Sequence, residues 1–245
     1  FITEYNEPVC LYALQRAQVF ATIRQQTLVW IQAEDSPPTL YFGNYSNDAL
    51  MKKKKEWLSP QYHAKKTEGI MSLLPTAFGM PMRITANHGT ELKKYGVHNG
   101  ARCRFRGWDV HPADAGALQS CTEPEIVLKY MPTKLFVEML VDIPTYNNLP
   151  KNWVAIPISS SHWTLSRGGE IEIQRRGFAL VPDFSSTIHN ATGRTIQAVQ
   201  SDLGSFDQKP SHSSAMKGYI ALSRATSADG LVIPRPFSPF LLSLI

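Results

Sequence analysis

Apolar positions along the chain recur in two different periods. The opening stretch FITEYNEPVCLYAL has Ile2, Val9, Leu11 and Leu14 apolar and predicts a strand running into a helix. Starting in mid-pattern, without a methionine, it reads as a piece of something longer. Leu14, Ala17, Ala21, Leu28 and Ile31 extend a helical spacing across Leu11 to Trp30, and Ser36-Pro37-Pro38 breaks it. Asn44 to Lys66 is polar and lysine-rich, which predicts a helical or irregular surface arm rather than core. The pattern then shortens to β-like segments. Strands are predicted at Met82 to Thr85, Ile126 to Leu128, Leu135 to Val141, Trp153 to Ile158 and Glu170 to Ile173. Asn87-His88-Gly89 and His98-Asn99-Gly100 mark turns, the second carrying the Asn-Gly cue of a hairpin. Arg102 to Arg106 alternates strictly, so in a strand its three arginines share one face, and Cys103 and Phe105 share the other.

The last seventy or so residues change character. Gly177 to Val181 is an apolar strand, Ser185 to Thr192 a short helix, and Gly193 stands where a left-handed cap is needed. Ile196 to Leu203 resumes a strand pattern and Ser213 to Arg224 reads as a helix. Asp229-Gly230 then turns the chain into Leu231, Val232 and Ile233. Strand and helix alternate in the way that builds a parallel α/β layer.

Composition narrows the possibilities. The chain has 245 residues, 43% hydrophobic and 18% charged, an ordinary balance for a folded protein. It lacks the apolar run of about 18 residues that a membrane-spanning helix needs, so no membrane is expected as a partner. Net charge is 25 − 20 = +5. The excess is concentrated: Met51 to Lys66 holds six lysines against Glu56, and Arg83 to Arg106 holds six basic residues against Glu91. Two such concentrations suit a polyanion, because neutralised phosphates release counterions. Three scattered cysteines and seven histidines without HExxH or HxxxH spacing predict neither a disulfide framework nor a metal site, and an intracellular, reducing setting.

Two segments carry chemistry. One is Thr187-Ile188-His189-Asn190-Ala191-Thr192-Gly193-Arg194-Thr195. The other is Tyr219-Ile220-Ala221-Leu222-Ser223-Arg224-Ala225-Thr226-Ser227, followed by Gly230-Leu231. In this order, after an apolar strand, they resemble motifs V and VI of superfamily 1 DNA helicases of the Pif-type and RecD-type branch. Gly79-Met80-Pro81-Met82-Arg83-Ile84-Thr85 is similar to the GMPV strand of that family, and Asn99-Gly100 to the NG turn that follows it. The resemblance runs from about residue 70 to 240. The segment departs from the family where Asn190, Ala191 and Thr192 replace its lysine-serine-glutamine run, and the chain has no GxxxxGK[ST] phosphate-binding loop.

The resemblance implies an α/β fold, a RecA-like second motor domain interrupted by a small SH3-like β-barrel. Residues 1–94 would begin the RecA-like domain and carry the basic arm, 95–174 would be the barrel, and 175–245 would complete the domain. It implies that Arg224 acts catalytically as an arginine finger on the γ-phosphate of ATP, and that Gly193 approaches the nucleotide. Thr187 and His189 would hold the DNA backbone. Arguments from the residues run alongside. A guanidinium suits a phosphoryl group through its planar fork of donors, and hydroxyl and imidazole groups bond phosphate without reading sequence. Arg102, Arg104 and Arg106, beside Trp108, would suit a surface that tracks single-stranded DNA. A solvated basic strand edge is the plainer alternative. Trp153, Trp163 and Phe178 are expected in the core.

The expected function is therefore the C-terminal motor half of an ATP-dependent DNA helicase, moving 5′→3′ on single-stranded DNA. ATP and Mg2+ would be held mainly by an N-terminal RecA-like domain of the same protein, and this chain alone would not hydrolyse ATP. Work on genomes implies the nucleus. A non-catalytic nucleic-acid-binding module derived from a helicase is the rival reading, and a small-barrel protein-interaction domain a third.

Overall fold

The computed structural model describes the chain apart from residues 40–42, 60–61, 166–170, 208, 210 and 243–245. It divides into two compact units, one made of Phe1–Ala13 with Phe184–Ile245, the other of Leu14–Asp183.

The first unit is the parallel α/β layer. Strand β1 (Ile2–Thr3) runs directly into helix α1 (Asn6–Ile23), which continues into the second unit. After the excursion of the chain through that unit come β13 (Ser186–Thr187) and the one-turn helix α5 (Ile188–Ala191). They are followed by β14 (Val199–Gln200), α6 (His212–Leu222) and β15 (Leu231–Val232). β1 pairs in parallel with β13 and β14 with β15. A single parallel bridge, Ile2 to Ser201, links the two pairs. Helix α6 starts because the Ser211 hydroxyl accepts from the Ser214 amide at 3.0 Å, which satisfies a donor the helix cannot. Its buried side is a stripe of small residues, Ser214, Ala215, Gly218 and Ala221, at the spacing of one helical face. Around it lies a core of Ile2, Ile188, Ala191, Val199, Leu203, Phe206, Ala221 and Leu241. A fully buried aliphatic or aromatic side chain there contributes about 1.5–3 kcal/mol.

The second unit is mainly antiparallel. In chain order its strands are β2 (Leu28–Gln32), β3 (Glu34–Ser36), β4 (Leu73–Thr76), β5 (Pro81–Ile84), β6 (Arg102–Asp109) and β7 (Glu125–Val127). β8 (Lys134–Met139), β9 (Trp153–Pro157), β10 (Ser159–Leu165), β11 (Ile171–Gly177) and β12 (Leu180–Pro182) follow. Helices α2 (Asn47–Trp57), α3 (Gly89–Lys93) and α4 (Pro112–Ser120) lie between them. The strands form three sheets, ordered β12-β5-β6-β8-β9, β10-β11-β3 and β4-β2-β7. In the five-stranded sheet Met82, Ile84, Cys103, Phe105, Leu135, Val137, Val154, Ile156 and Leu180 are all buried. The period-two alternation of these strands produces that apolar face.

Several expectations change. The helix predicted across Leu11 to Trp30 stops at Ile23, and Leu28 to Gln32 is a strand. Gln25 takes a left-handed turn at φ +53°, and the run Leu-Val-Trp-Ile that follows favours β structure. The lysine-rich segment is not a detached arm. α2 seats Trp57, 1% exposed, against Trp163 with ring centroids 6.1 Å apart and planes at 84°. The Asn-Gly cue closes no tight hairpin, for α3 lies within the β5–β6 connection, although Gly100 does adopt φ +89°. The predicted barrel strands β6, β8 and β9 join β5 and β12 in an open sheet, and no closed barrel forms among the described residues. β10, rich in serine, carried too weak a pattern to be predicted. Glu170, where one strand was expected to begin, lies outside the described residues, and β11 is described from Ile171. Trp163 and Phe178 are buried as expected, whereas Trp153 is half-buried.

Candidate functional site

Within the first unit, the two chemistry-bearing segments meet through backbone and one arginine. Helix α6 ends at Leu222, Ser223 is its C-cap, and Arg224 comes next. Its Nε donates to the Ile220 carbonyl at 3.0 Å and its Nη1 to the Arg194 carbonyl at 3.1 Å, while Nη2 donates to the Ser223 hydroxyl at 2.9 Å. Residues 196 and 224–226 continue the link, because the Ile196 amide donates to the Arg224 carbonyl and the Thr226 amide to that of Ile196. No carboxylate pairs with Arg224 among the described residues. The half-buried guanidinium is thus held by neutral acceptors and keeps its whole positive charge, at a helix C-terminus that favours a cation.

Thr187 caps the start of α5 from an extended conformation, but its hydroxyl makes no capping bond, and the residue is buried. His189, one residue into the helix, is exposed. Gly193 takes φ +76° after α5, and a Cβ added there would meet nothing within 4 Å. Its glycine is required by backbone conformation, not by crowding. Arg224, Gly193, Thr187 and His189 therefore belong to one unit, with Arg224 directly bonded to the residue after Gly193.

The three β6 arginines belong to the second unit and differ from one another. Arg102 is paired with Asp183, Nε to Oδ2 at 2.6 Å, and Arg83 approaches the other oxygen of that carboxylate at 3.9 Å. Arg106 is fixed by Glu138, through Nε at 2.9 Å and a second, shorter bond from Nη2. Arg104 alone of the three is exposed with no ion pair among the described residues. Two of the three expected phosphate-facing cations are thus already neutralised. Trp108 also departs from expectation. The ladder between β6 and β8 shifts register between Phe105 and Gly107, and a one-residue bulge turns every later side chain to the opposite face. Trp108 accordingly stacks on buried Phe105, with centroids 5.1 Å apart and planes at 20°, instead of standing beside the arginines.

Sequence reasoning missed Asp183, Glu138 and Phe78. The two carboxylates are far from their arginines in the chain, so no local pattern points to them. Phe78 left a signal that could have been read, an aromatic residue directly before the turn glycine of the Gly79-to-Thr85 segment. Among the described residues no group of three or more His, Cys, Asp or Glu side chains is arranged to hold a metal ion, and no helix is long and apolar enough to cross a membrane.

No protein-family model matches the chain. An ATP-dependent DNA helicase PIF1 of Emericella nidulans is 41% identical to it over 71 residues, which is 29% of this chain and 9% of that protein. The crystal structure of Pif1 helicase from Candida albicans superposes on 96% of the chain with a TM-score of 0.51 and 16% identity. A Bacteroides Pif1 helicase solved with ADP-AlF3 and single-stranded DNA covers all of it, with a TM-score of 0.50 and 11% identity. The chain spans less than half of either solved helicase, 45% and 42% of their lengths. It resembles Pif1 helicases in fold over nearly its entire length.

Proposed function

We propose that the chain is the C-terminal motor part of an ATP-dependent DNA helicase that translocates on single-stranded DNA. The observation that carries this reading is Arg224. A guanidinium anchored by two backbone carbonyls and lacking a carboxylate is positioned but not neutralised. Charge of that kind stabilises a phosphoryl group during transfer. ATP, with its Mg2+, would be cradled by a RecA-like domain of the same protein outside this chain, and Arg224 would supply the positive charge that domain lacks. The residues here fit that division of labour, as Arg224 offers a cation for phosphate. Gly193, in its left-handed turn, would let the backbone approach the nucleotide, and exposed His189 would bond a DNA phosphate. Thr187 would reach the strand only after its cover shifts, because it is buried. Residues 95–174 would correspond to the small SH3-like insertion of the Pif-type branch, and a role on genomes would place the protein in the nucleus.

A second reading is favoured by one feature. Ala191 is buried and only Asn190 and Thr192 are exposed where the family carries its lysine-serine-glutamine run. Loss of that cation suits a non-catalytic module that kept the helicase fold and its affinity for nucleic acid. The experiment that separates the two joins the chain to the segment encoded upstream of Phe1 and measures ATP turnover with single-stranded DNA. Turnover that collapses in Arg224→Ala supports the motor. Single-stranded DNA binding without turnover favours the module. A chain that neither turns over ATP nor binds single-stranded DNA overturns both.

A further inference from the structure

Phe78 is 51% exposed, at the turn between β4 and β5. A large aromatic residue left half in water at a tight turn gains little for folding. Its position is nevertheless fixed. The Gly79 amide donates to the Phe105 carbonyl at 2.8 Å, tying the turn to β6 at the residue between Arg104 and Arg106. The guanidinium carbon of Arg106 lies 5.0 Å from the Phe78 ring centroid. Arg106 is held in turn by Glu138. A carboxylate therefore orients a guanidinium, and the guanidinium orients a ring.

The neighbours of this ring are suited to one kind of ligand. Arg104 is the unneutralised cation of β6, and Arg106, the unpaired residue of the bulge, reaches Glu138, the cross-strand partner of Arg104. Across the sheet, Arg104 is opposite Glu138 and Glu138 opposite Trp153, a half-buried indole. Arg83 and Arg102 approach Asp183 and Arg106 is bonded to Glu138, while Arg104 has no ion pair among the described residues. A surface with net positive charge and a rigid, exposed ring matches an unpaired nucleotide, whose base stacks while its phosphate meets a guanidinium. A duplex would hide its base faces and leave the ring without a use. An acidic peptide would use the cations but not the ring.

We propose that Phe78 is a stacking platform for one base of a single-stranded nucleic acid and that Arg104 binds the adjoining phosphate. This rests on the reading of the chain as a single-strand-binding helicase part, and it assigns the contact to two residues of the five-stranded sheet. Arg106 is a positioning residue here. Bonded to Glu138 on one side, it supports the ring through its face.

The test uses the 245-residue chain and two labelled probes, an oligothymidylate of about a dozen nucleotides and an abasic oligomer of equal length. Phe78→Leu keeps an apolar side chain but removes the ring. It should weaken oligothymidylate binding about tenfold and leave the abasic oligomer unaffected. Phe78→Trp should restore binding. Arg104→Ala should weaken both probes and lower the slope of log affinity against log salt by about one. Circular dichroism and thermal melting check that each variant is folded. Equal affinity of Phe78→Leu and the parent chain for oligothymidylate would overturn the stacking site while sparing the single-strand reading. An equal loss on the abasic probe would overturn it too, because the ring would then act through the fold. Failure of the parent chain to bind either probe would overturn the reading beneath it as well.

Discussion

The guanidinium of Arg224 donates a 3.1 Å hydrogen bond to the main-chain oxygen of Arg194, thirty residues earlier in the chain. Gly193, directly before that oxygen, turns at φ +76°. The conformation of the one segment thus sets where the side chain of the other is held.

Arg224→Lys removes the planar fork, and with it the ability to bond the Arg194 and Ile220 carbonyls while still presenting charge. Hydrogen bonds from a charged group contribute about 1.5–3 kcal/mol each, less at a half-exposed site, so the variant should fold with a lower melting temperature. When the chain is joined to the nucleotide-binding domain proposed for it, ATP turnover of Arg224→Lys should fall about a thousandfold or more. Parallel measurement of melting and steady-state turnover separates the two effects.

Three glycines of the first unit should respond differently to the same substitution. A Cβ at Gly218 would lie 2.2 Å from the Leu241 carbonyl oxygen and one at Gly230 would lie 2.1 Å from that of Gln197. Both obstacles are backbone, so Gly218→Ala and Gly230→Ala should each cost about 1–3 kcal/mol or more. Gly193→Ala meets open space and costs only the left-handed conformation, about 1–2 kcal/mol. Gly193→Asn should recover part of that. Urea unfolding of the three alanine variants gives the ranking.

Arg175 is fully buried and bonds Asp35 through Nε at 2.8 Å and Nη2 at 2.7 Å, with a third bond to the Trp57 carbonyl at 3.0 Å. Its guanidinium also lies 5.3 Å from the Trp163 ring. These contacts fasten β3, β11 and the end of α2 together. Asp35→Ala would leave an uncompensated buried charge, at a cost of about 3–5 kcal/mol. The double variant Asp35→Leu with Arg175→Met should recover much of this loss, because an apolar pair of similar volume needs no desolvation of charge. A double-mutant cycle in urea would show strong coupling, and simple additivity of the two single losses would contradict the role given to the pair.

The sequence was readable where structure is set by neighbours along the chain. The run Ser213 to Arg224 announces α6, and Gly193 announces a left-handed cap, because helix spacing and backbone strain are local. Strict alternation likewise puts Cys103 and Phe105 on one face of β6, and that face is the buried one. The fate of the arginines was not readable. Asp183 lies 81 residues from Arg102 and Glu138 lies 32 from Arg106, and only the sheet brings them together. Trp108 illustrates the limit well. Its expected side follows from strict alternation, and one inserted residue near Gly107 reverses it. Trp57 reads as the end of a lysine-rich surface helix until Trp163, from a strand of weak pattern, is placed against it.

The cysteines give the last prediction. Burial pushes the Cys103 thiol up to about 12 and the Cys10 thiol up to about 11, from an ordinary 9.0, with smaller contributions from Asp183 and Glu7 respectively. The folded chain therefore favours the neutral thiols, and the unfolded chain gives up these protons first. Below about pH 9 their stabilising contribution is fully present. As pH rises from there toward 11 and 12, the folded state binds more protons than the unfolded one, and stability falls. Replacing Cys103 with Val keeps an apolar side chain of similar size and should flatten this alkaline loss. Thiol labelling offers an independent check, since the thiolate is the reactive form. Near pH 8 a disulfide reagent should modify partly exposed Cys121 in the native chain and reach Cys10 and Cys103 only on unfolding. Rapid native labelling of Cys103 would show that β6 opens far more readily than a central strand of the five-stranded sheet should.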